Sequence, residues 1–225
     1  MNARGSLIGL CGLLLVSGAA MAASDQAVER NGAAAKLLEQ GKVDAAITEF
    51  QNALASDPNY FPARLNLAFA YEKAGRIEEG IAAYRAAIEA QPKNFYAHNN
   101  LGVLYDKKEQ YGLAIAEFQS ALEIEPGNST ALKNLENARK SLAVVKEREA
   151  QIARAEKEAQ ARPQDPRAAY QVARLHAVYG NKELALQWLG KAVRQGYRDL
   201  TDMKVDPAFQ SIREEREFGL LLQRK

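Results

Sequence analysis

The chain has 225 residues, 47% of them hydrophobic and 26% charged, with 30 Lys and Arg against 28 Asp and Glu. That is enough for one or two domains with a real core. The net charge of +2 argues against a dedicated nucleic-acid binder, which would carry a strong basic excess. After residue 24 no uncharged apolar stretch is long enough to cross a bilayer.

The chain opens on a segment unlike the rest. Arg4 is the only charge before Asp25, Leu7 to Val16 is an apolar run, and Ser17 to Ala22 are small residues apart from Met21. A basic start, a short apolar core and an Ala-x-Ala ending make residues 1–22 a secretory signal peptide cleaved after Ala22. An uncleaved membrane anchor is the second reading. A lipid on Cys11 is the third, because Leu10 stands where a lipobox needs a small residue. Cys11 is the only cysteine. The mature chain would therefore hold neither a disulfide nor a thiol nucleophile.

From residue 27 onward the sequence repeats. Pro58, Pro92 and Pro126 are spaced by 34 residues, as are Phe50, Tyr84 and Phe118, then Ala53, Ala87 and Ala121. Ile47, Ile81 and Ile115 keep the same period, as do Leu67, Leu101 and Leu135. Gly41 and Gly75 match too, with Glu109 in the third place. Each period predicts two helices, in the second unit about Phe61 to Lys73 and Glu78 to Ala90. Gly75 suits the left-handed close of a helix. Gln91-Pro92 ends the second one, because the residue before Pro is pushed out of the helical region. Small residues recur where helices must approach closely: Ala68, Gly80, Gly102 and Ala114.

This pattern resembles the tetratricopeptide repeat. The matching residues are Leu67-Ala68 and Leu101-Gly102, then Tyr71 and Tyr105, the sets Ala46/Phe50/Ala53, Gly80/Tyr84/Ala87 and Ala114/Phe118/Ala121, and the closing Pro. Three units are read, at about 27–60, 61–94 and 95–128, within residues 23–128. The resemblance implies an all-α fold: a right-handed solenoid of antiparallel helix pairs that binds a protein or an extended peptide.

Residues 129–162 follow as one long capping and linking helix. It begins in phase with Leu132 and Leu135 and then carries a thin apolar stripe of Leu142, Val145 and Ile152. A coiled coil is disfavoured by Glu149 and Glu156 on the same seam. Arg162-Pro163-Gln164-Asp165-Pro166 breaks the helix. Residues 163–225 form another hairpin and a tail of short helices. Its turn at Gly180 stands three residues out of phase with Gly75, so it is a separate unit. Phe209, Ile212, Phe218, Leu221 and Leu222 are expected to cover its open side.

In tetratricopeptide arrays the first helix of each pair lines the inside of the curve. Positions 4, 7 and 11 after a start fall on one face of a helix. Unit two then presents Pro62, Asn66, Phe69 and Lys73, unit three Tyr96, Asn100, Val103 and Lys107, and the next helix Asn134. Unit one presents Val28, Gly32, Ala35 and Glu39. Asn66, Asn100 and Asn134 recur in phase, and an Asn amide can meet both the N–H and the C=O of an extended peptide. This is similar to the asparagine ladder of the superhelix in O-linked N-acetylglucosamine transferase, with fewer rungs. The alternative reading gives these Asn to the neighbouring helix or to water. A carboxylate clamp is not expected, because Tyr96 and Asn100 stand where its basic residues would be.

No phosphate loop, nucleophile elbow or metal-spaced ligand set is present. His98 and His176 sit alone in helical patterns. No catalytic residue, metal or cofactor is expected. Residues 23–128 hold 10 Lys and Arg against 15 Asp and Glu, and residues 129–225 hold 19 against 13. The expected function is therefore a non-enzymatic interaction adaptor in the bacterial cell envelope, periplasmic or secreted, engaged in envelope assembly or secretion. The alternative is a scaffold that self-associates through the long helix and the oppositely charged halves.

Overall fold

The computed structural model describes the backbone of residues 8–223 and side chains from Ser24 to Gln223. The leader read at residues 1–22 lies outside the described side chains, and its cleavage, anchoring and lipidation rest there. Among the described residues no helix is long and apolar enough to cross a membrane.

The repeating pattern folds as helix pairs. These are α1 (Ile8–Glu39) with α2 (Val43–Ser56), α3 (Phe61–Lys73) with α4 (Ile77–Ala90), and α5 (Phe95–Lys107) with α6 (Tyr111–Ile124). Each pair also packs on the next, α2 against α3 and α4 against α5, while α1 touches α3 and α3 touches α5. The turns within pairs close on left-handed residues, Gly41 at φ 75° and Gly75 at φ 71°. Glu109 takes the equivalent conformation at φ 58° without the freedom of a glycine.

Close approach depends on the small residues. A Cβ added at Gly102 would stand 2.6 Å from Cε1 of Phe118, and one added at Gly80 would stand 2.9 Å from Cδ1 of Leu104. Around these contacts Tyr84, Leu101, Leu104, Phe118 and Leu135 form one buried cluster. Ala34, Ala46, Ile47, Phe50 and Ala70 form another, between the first two pairs.

Helix α7 runs from Ser129 to Ala161 without a break. The chain divides into two compact units within it, after Ser141. In the second unit, α8 (Pro166–Val178) pairs with α9 (Lys182–Arg194), followed by α10 (Leu200–Val205), a 3₁₀ segment (Pro207–Ile212) and α11 (Arg216–Leu222). Phe209, Ile212, Phe218 and Leu221 are buried against Tyr170, Ala173, Leu189 and Val193, and Leu222 packs beside them. The α7 face toward α8 is more polar than its apolar stripe. The Arg148 guanidinium lies over the Tyr179 ring at 4.8 Å, and the Tyr179 hydroxyl donates to Gln151. Buried His176 sits between Glu156 at 3.3 Å and Asn181 at 3.3 Å.

Asp206 holds the tail to the hairpin. Nearly buried, it accepts from the Ala208 N–H, the Tyr170 hydroxyl at 2.9 Å and Arg174 Nε at 2.7 Å. Burial alone would raise its carboxyl, but these donors hold it below the usual carboxylate range. Tyr197 stacks on Tyr170 at 4.2 Å and donates to Asp202. Burial and Asp202 push the Tyr197 phenol up to about 12.

Candidate functional site

The stripe predicted on the first helix of each pair divides into two environments. The first is an open pocket of about 500 Å³ where α1, α2 and α3 meet. Ala35 and Glu39 reach it from α1, and Asn66, Phe69 and Lys73 from α3, so the predicted stripes of units one and two share one cavity. Leu38, Val43 and Phe50 complete its apolar wall. Sequence reasoning missed them, because Phe50 reads as a core position of the repeat and Leu38 and Val43 fall outside the predicted stripe. Lys73 is exposed and its ammonium lies 4.9 Å from the centre of the Phe69 ring. The pocket thus offers a half-buried aromatic, a cation above it and a carboxylate at Glu39.

The second environment is a hydrogen-bonded chain through α3, α4, α5 and the start of α7. Asn134 Nδ2 donates to Asn99 Oδ1 at 3.2 Å, and Asn99 Nδ2 to Asn100 Oδ1 at 3.1 Å. Asn100 Nδ2 donates to the Tyr84 hydroxyl at 3.2 Å, which donates to Glu72 Oε2 at 3.3 Å. Lys107 Nζ closes the chain on Glu72 Oε1 at 2.9 Å. Burial, then the neighbouring Glu72 carboxylate, raises the Tyr84 phenol, so it stays a neutral donor. Asn100, Lys107 and Asn134 are therefore brought together, but their donors serve neighbouring helices.

Asn66 behaves in the same way, donating to Asn31 Oδ1 at 3.0 Å. Asn31 and Asn99 occupy equivalent places in units one and three, where unit two has Leu65. Each accepts from an Asn 35 residues further on. Two of the three in-phase asparagines, Asn66 and Asn134, thus stitch one first helix to the next, while Asn100 bonds Tyr84 on α4. Asn31 and Asn99 are further residues that sequence reasoning overlooked, and Asn99 carried a signal. A polar residue at a position that is Leu65 in the preceding unit was the available signal, and it is buried here at 7% exposure. An Asn side chain can take part in about four hydrogen bonds, so one or two internal bonds leave capacity for a ligand.

Of the remaining candidates, Tyr96 is 61% exposed at the start of α5, edge-on to Phe95 at 5.4 Å. Val103 is half-buried against the central cluster. Neither lines the pocket of α1 to α3. Both histidines are structural. His98 spans Glu117 at 2.7 Å and the Pro92 carbonyl at 3.0 Å, and His176 is held as described. Among the described residues no group of three or more His, Cys, Asp or Glu is placed to hold a metal ion.

Successive antiparallel helix pairs, closed by left-handed turns and packed through small residues on a 34-residue period, define a helical-hairpin repeat protein. Residues 37–128 are tetratricopeptide repeats: sequence models described as tetratricopeptide repeat match residues 37–104 and 95–128. No curated protein matches it in sequence. In fold it is similar to the first tetratricopeptide domain of Spaghetti (RPAP3) bound to the HSP90 peptide SRMEEVD. That likeness has 23% identity and a TM-score of 0.52, over 53% of this chain and 95% of that one. It is also similar to the second such domain of human RPAP3 in complex with the HSP70 peptide SGPTIEEVD, at 24% identity and a TM-score of 0.50, over 52% and 98% of the two chains. MamA from Desulfovibrio magneticus RS-1 is a longer match, at 16% identity and a TM-score of 0.51, over 76% of this chain and 95% of that one.

Proposed function

We propose that this protein is a non-enzymatic adaptor of the bacterial cell envelope, which holds an extended segment of a partner protein along the first helices of its repeats. The observation that carries this reading is the pocket of α1 to α3, in which the inner stripes of two successive repeats converge on Phe69 and Lys73. An apolar side chain of the partner enters against Phe69, Leu38 and Val43. A polar or acidic group beside it meets Lys73. Half-buried Val103 and exposed Tyr96 continue the track along α5, and the Asn chain supplies amides with spare capacity. Peptide-bound domains of the same fold support the mode of binding, although the clamp residues expected for an acidic chain end are replaced here by Tyr96 and Asn100. The leader at residues 1–22 and a mature chain without cysteine support the periplasmic or secreted placement.

The asparagines are poor test positions, because exchanging them also breaks bonds between repeats. Phe69 and Lys73 are better. The full chain, expressed with its own leader and tagged at the C-terminus, is used to capture partners from an envelope extract. A double F69A/K73E variant is run beside it. A dominant partner lost by the variant is the expected result, with a lowered melting midpoint, because Phe69 packs against the central cluster, but a fully helical protein at the assay temperature. Equal capture by both proteins refutes the groove, and capture of the chain by itself alone favours the scaffold reading.

A further inference from the structure

The C-terminal unit carries a concavity of its own. It is an open groove of about 760 Å³ between α9 and α11. The two helices run side by side in the same sense. Lys182 at the start of α9 pairs with Glu215 at 3.1 Å, just before α11, while a Cβ added at Gly190 would stand 3.6 Å from Cδ2 of Leu221 further along both. The floor is apolar, from Leu186, Gly190, Leu220 and Leu221, and Leu220 is left 50% exposed.

The charges along the groove are polarised. Glu183 and Glu217 stand at the end where both helices begin, and Arg194 rises from the far end with its guanidinium folded back over Gly190. Among the described residues none of these three has an ion-pair partner, whereas Lys182 and Glu215 neutralise each other. A partner of a single charge sign would meet like charge at one end, so this pattern rejects an acidic peptide and a basic one alike. A second copy of the same face, turned end for end, meets it correctly at both ends.

We infer that the α9–α11 groove is a homodimerisation face, on which α9 of a second copy lies antiparallel to the first. Glu183 and Arg194 are eleven residues apart, about 16 Å along a helix at 1.5 Å per residue. A two-fold axis midway between them falls beside Gln187 and Gly190. Two Glu183–Arg194 pairs then form at once, as an isologous contact requires. The two Gln187 amides, each donating to its own Glu183 at 3.3 Å with acceptor capacity to spare, lie near the axis. Gly190 presents no side chain there and is covered by the Arg194 guanidinium, 3.3 Å from where a Cβ would stand, which swings outward to meet Glu183 of the second copy, while Leu186 and Leu220 lose their exposure on both sides. The face belongs to the C-terminal unit and the peptide pocket to the N-terminal one, so each reading can fail without the other.

Light scattering on the chain expressed with its own leader gives the test. The unaltered protein is expected at twice the monomer mass in low salt. Arg194→Glu and Glu183→Arg each place like charges together twice, and each should weaken association at least about tenfold. Mixing the two variants in equal amounts should restore the dimer, because every charged contact in the mixed pair is again between opposite signs. Glu217→Lys reverses the acidic end from α11 and should also weaken the dimer, which covers any loss of folding at Glu183. The fluorescence of Trp188, the only tryptophan, checks that each variant keeps its hairpin. A monomer at every concentration overturns the inference. So does a dimer indifferent to both reversals, or a mixture of folded variants that fails to reassociate.

Discussion

Gly102→Ala tests the register of the repeat at its tightest point. The new methyl would stand 2.6 Å from Cε1 and 2.7 Å from Cδ1 of Phe118, when ordinary contact begins near 3.4 Å. Phe118 is 1% exposed and enclosed by Leu101, Tyr84 and Leu135, so its ring has nowhere to turn. Overpacking of this kind costs about 1–3 kcal/mol, and an overlap against a rigid ring belongs at the upper end. Alanine returns about 1 kcal/mol of helix propensity relative to glycine, which leaves a net loss of about 2 kcal/mol. For a chain of this size that lowers the melting midpoint by about 4–8 °C. Gly80→Ala makes the same addition 2.9 Å from the far end of a leucine, which can shift, so it should cost less. Gly112→Ala adds a methyl where nothing lies within 4 Å and should not destabilise at all. The assay is thermal and urea unfolding followed by far-UV circular dichroism. Adding Phe118→Leu to Gly102→Ala should recover part of the loss, giving a favourable coupling in the double-mutant cycle. A neutral or stabilising Gly102→Ala would refute the argument that these helices are spaced by the absence of a side chain.

Two further predictions bear on the turns and the tail. Glu109 sits at φ 58° in a turn where the other units use glycine. A left-handed non-glycine residue costs about 1–2 kcal/mol, and glycine gives back part of that in chain entropy, so Glu109→Gly should gain about 0.5–1 kcal/mol in urea unfolding. Asp206 is held below the usual carboxylate range in the folded chain. Its contribution to stability is therefore complete above the unfolded carboxyl value of about 3.9 and is lost as pH falls through the lower folded value. Trp188 fluorescence should report loosening of the C-terminal unit below about pH 4. Asp206→Asn should lower the unfolding midpoint near neutral pH and flatten its fall in acid; an unchanged acid profile would refute the role of this carboxylate.

Most of the fold was legible because a 34-residue period fixes many positions at once. Phe61 to Lys73 was bounded by a proline-led start and by Ala74-Gly75, and α3 keeps those limits. The second helix of that pair begins one residue earlier than read, at Ile77, because Arg76 already closes the turn by donating its N–H to the Tyr71 carbonyl. The α7 contacts in the C-terminal unit were less legible. Glu156 reads only as a charge on the helix's apolar seam, and Arg148 and Gln151 carry no signal, until Tyr179 and His176 are brought against them by α8. The site was legible only as a stripe. Periodicity placed Asn66, Phe69 and Lys73 on one face, but it could not say which donors were already committed. That depends on Asn31, Asn99, Tyr84 and Glu72, all contributed by other turns of the array.

The asparagines show why a recurring polar residue is an ambiguous sign. A mid-helix Asn gives up helix propensity wherever it stands, so three in phase need a common cause. Ligand binding is one such cause. The structure supplies a second: Asn31 with Asn66 ties α1 to α3, and Asn99 with Asn134 ties α5 to α7. Leu65 interrupts the series, and there Asn100 turns back to Tyr84 instead. The two causes are not exclusive, because an amide held in place by its neighbour arrives at a ligand already oriented, with less entropy left to lose on binding. They differ in what a substitution does. If the amides only stitch the array, Asn134→Ala lowers stability and spares capture of a partner by the remaining fold. If they also hold a ligand, capture falls even where the array is fully folded.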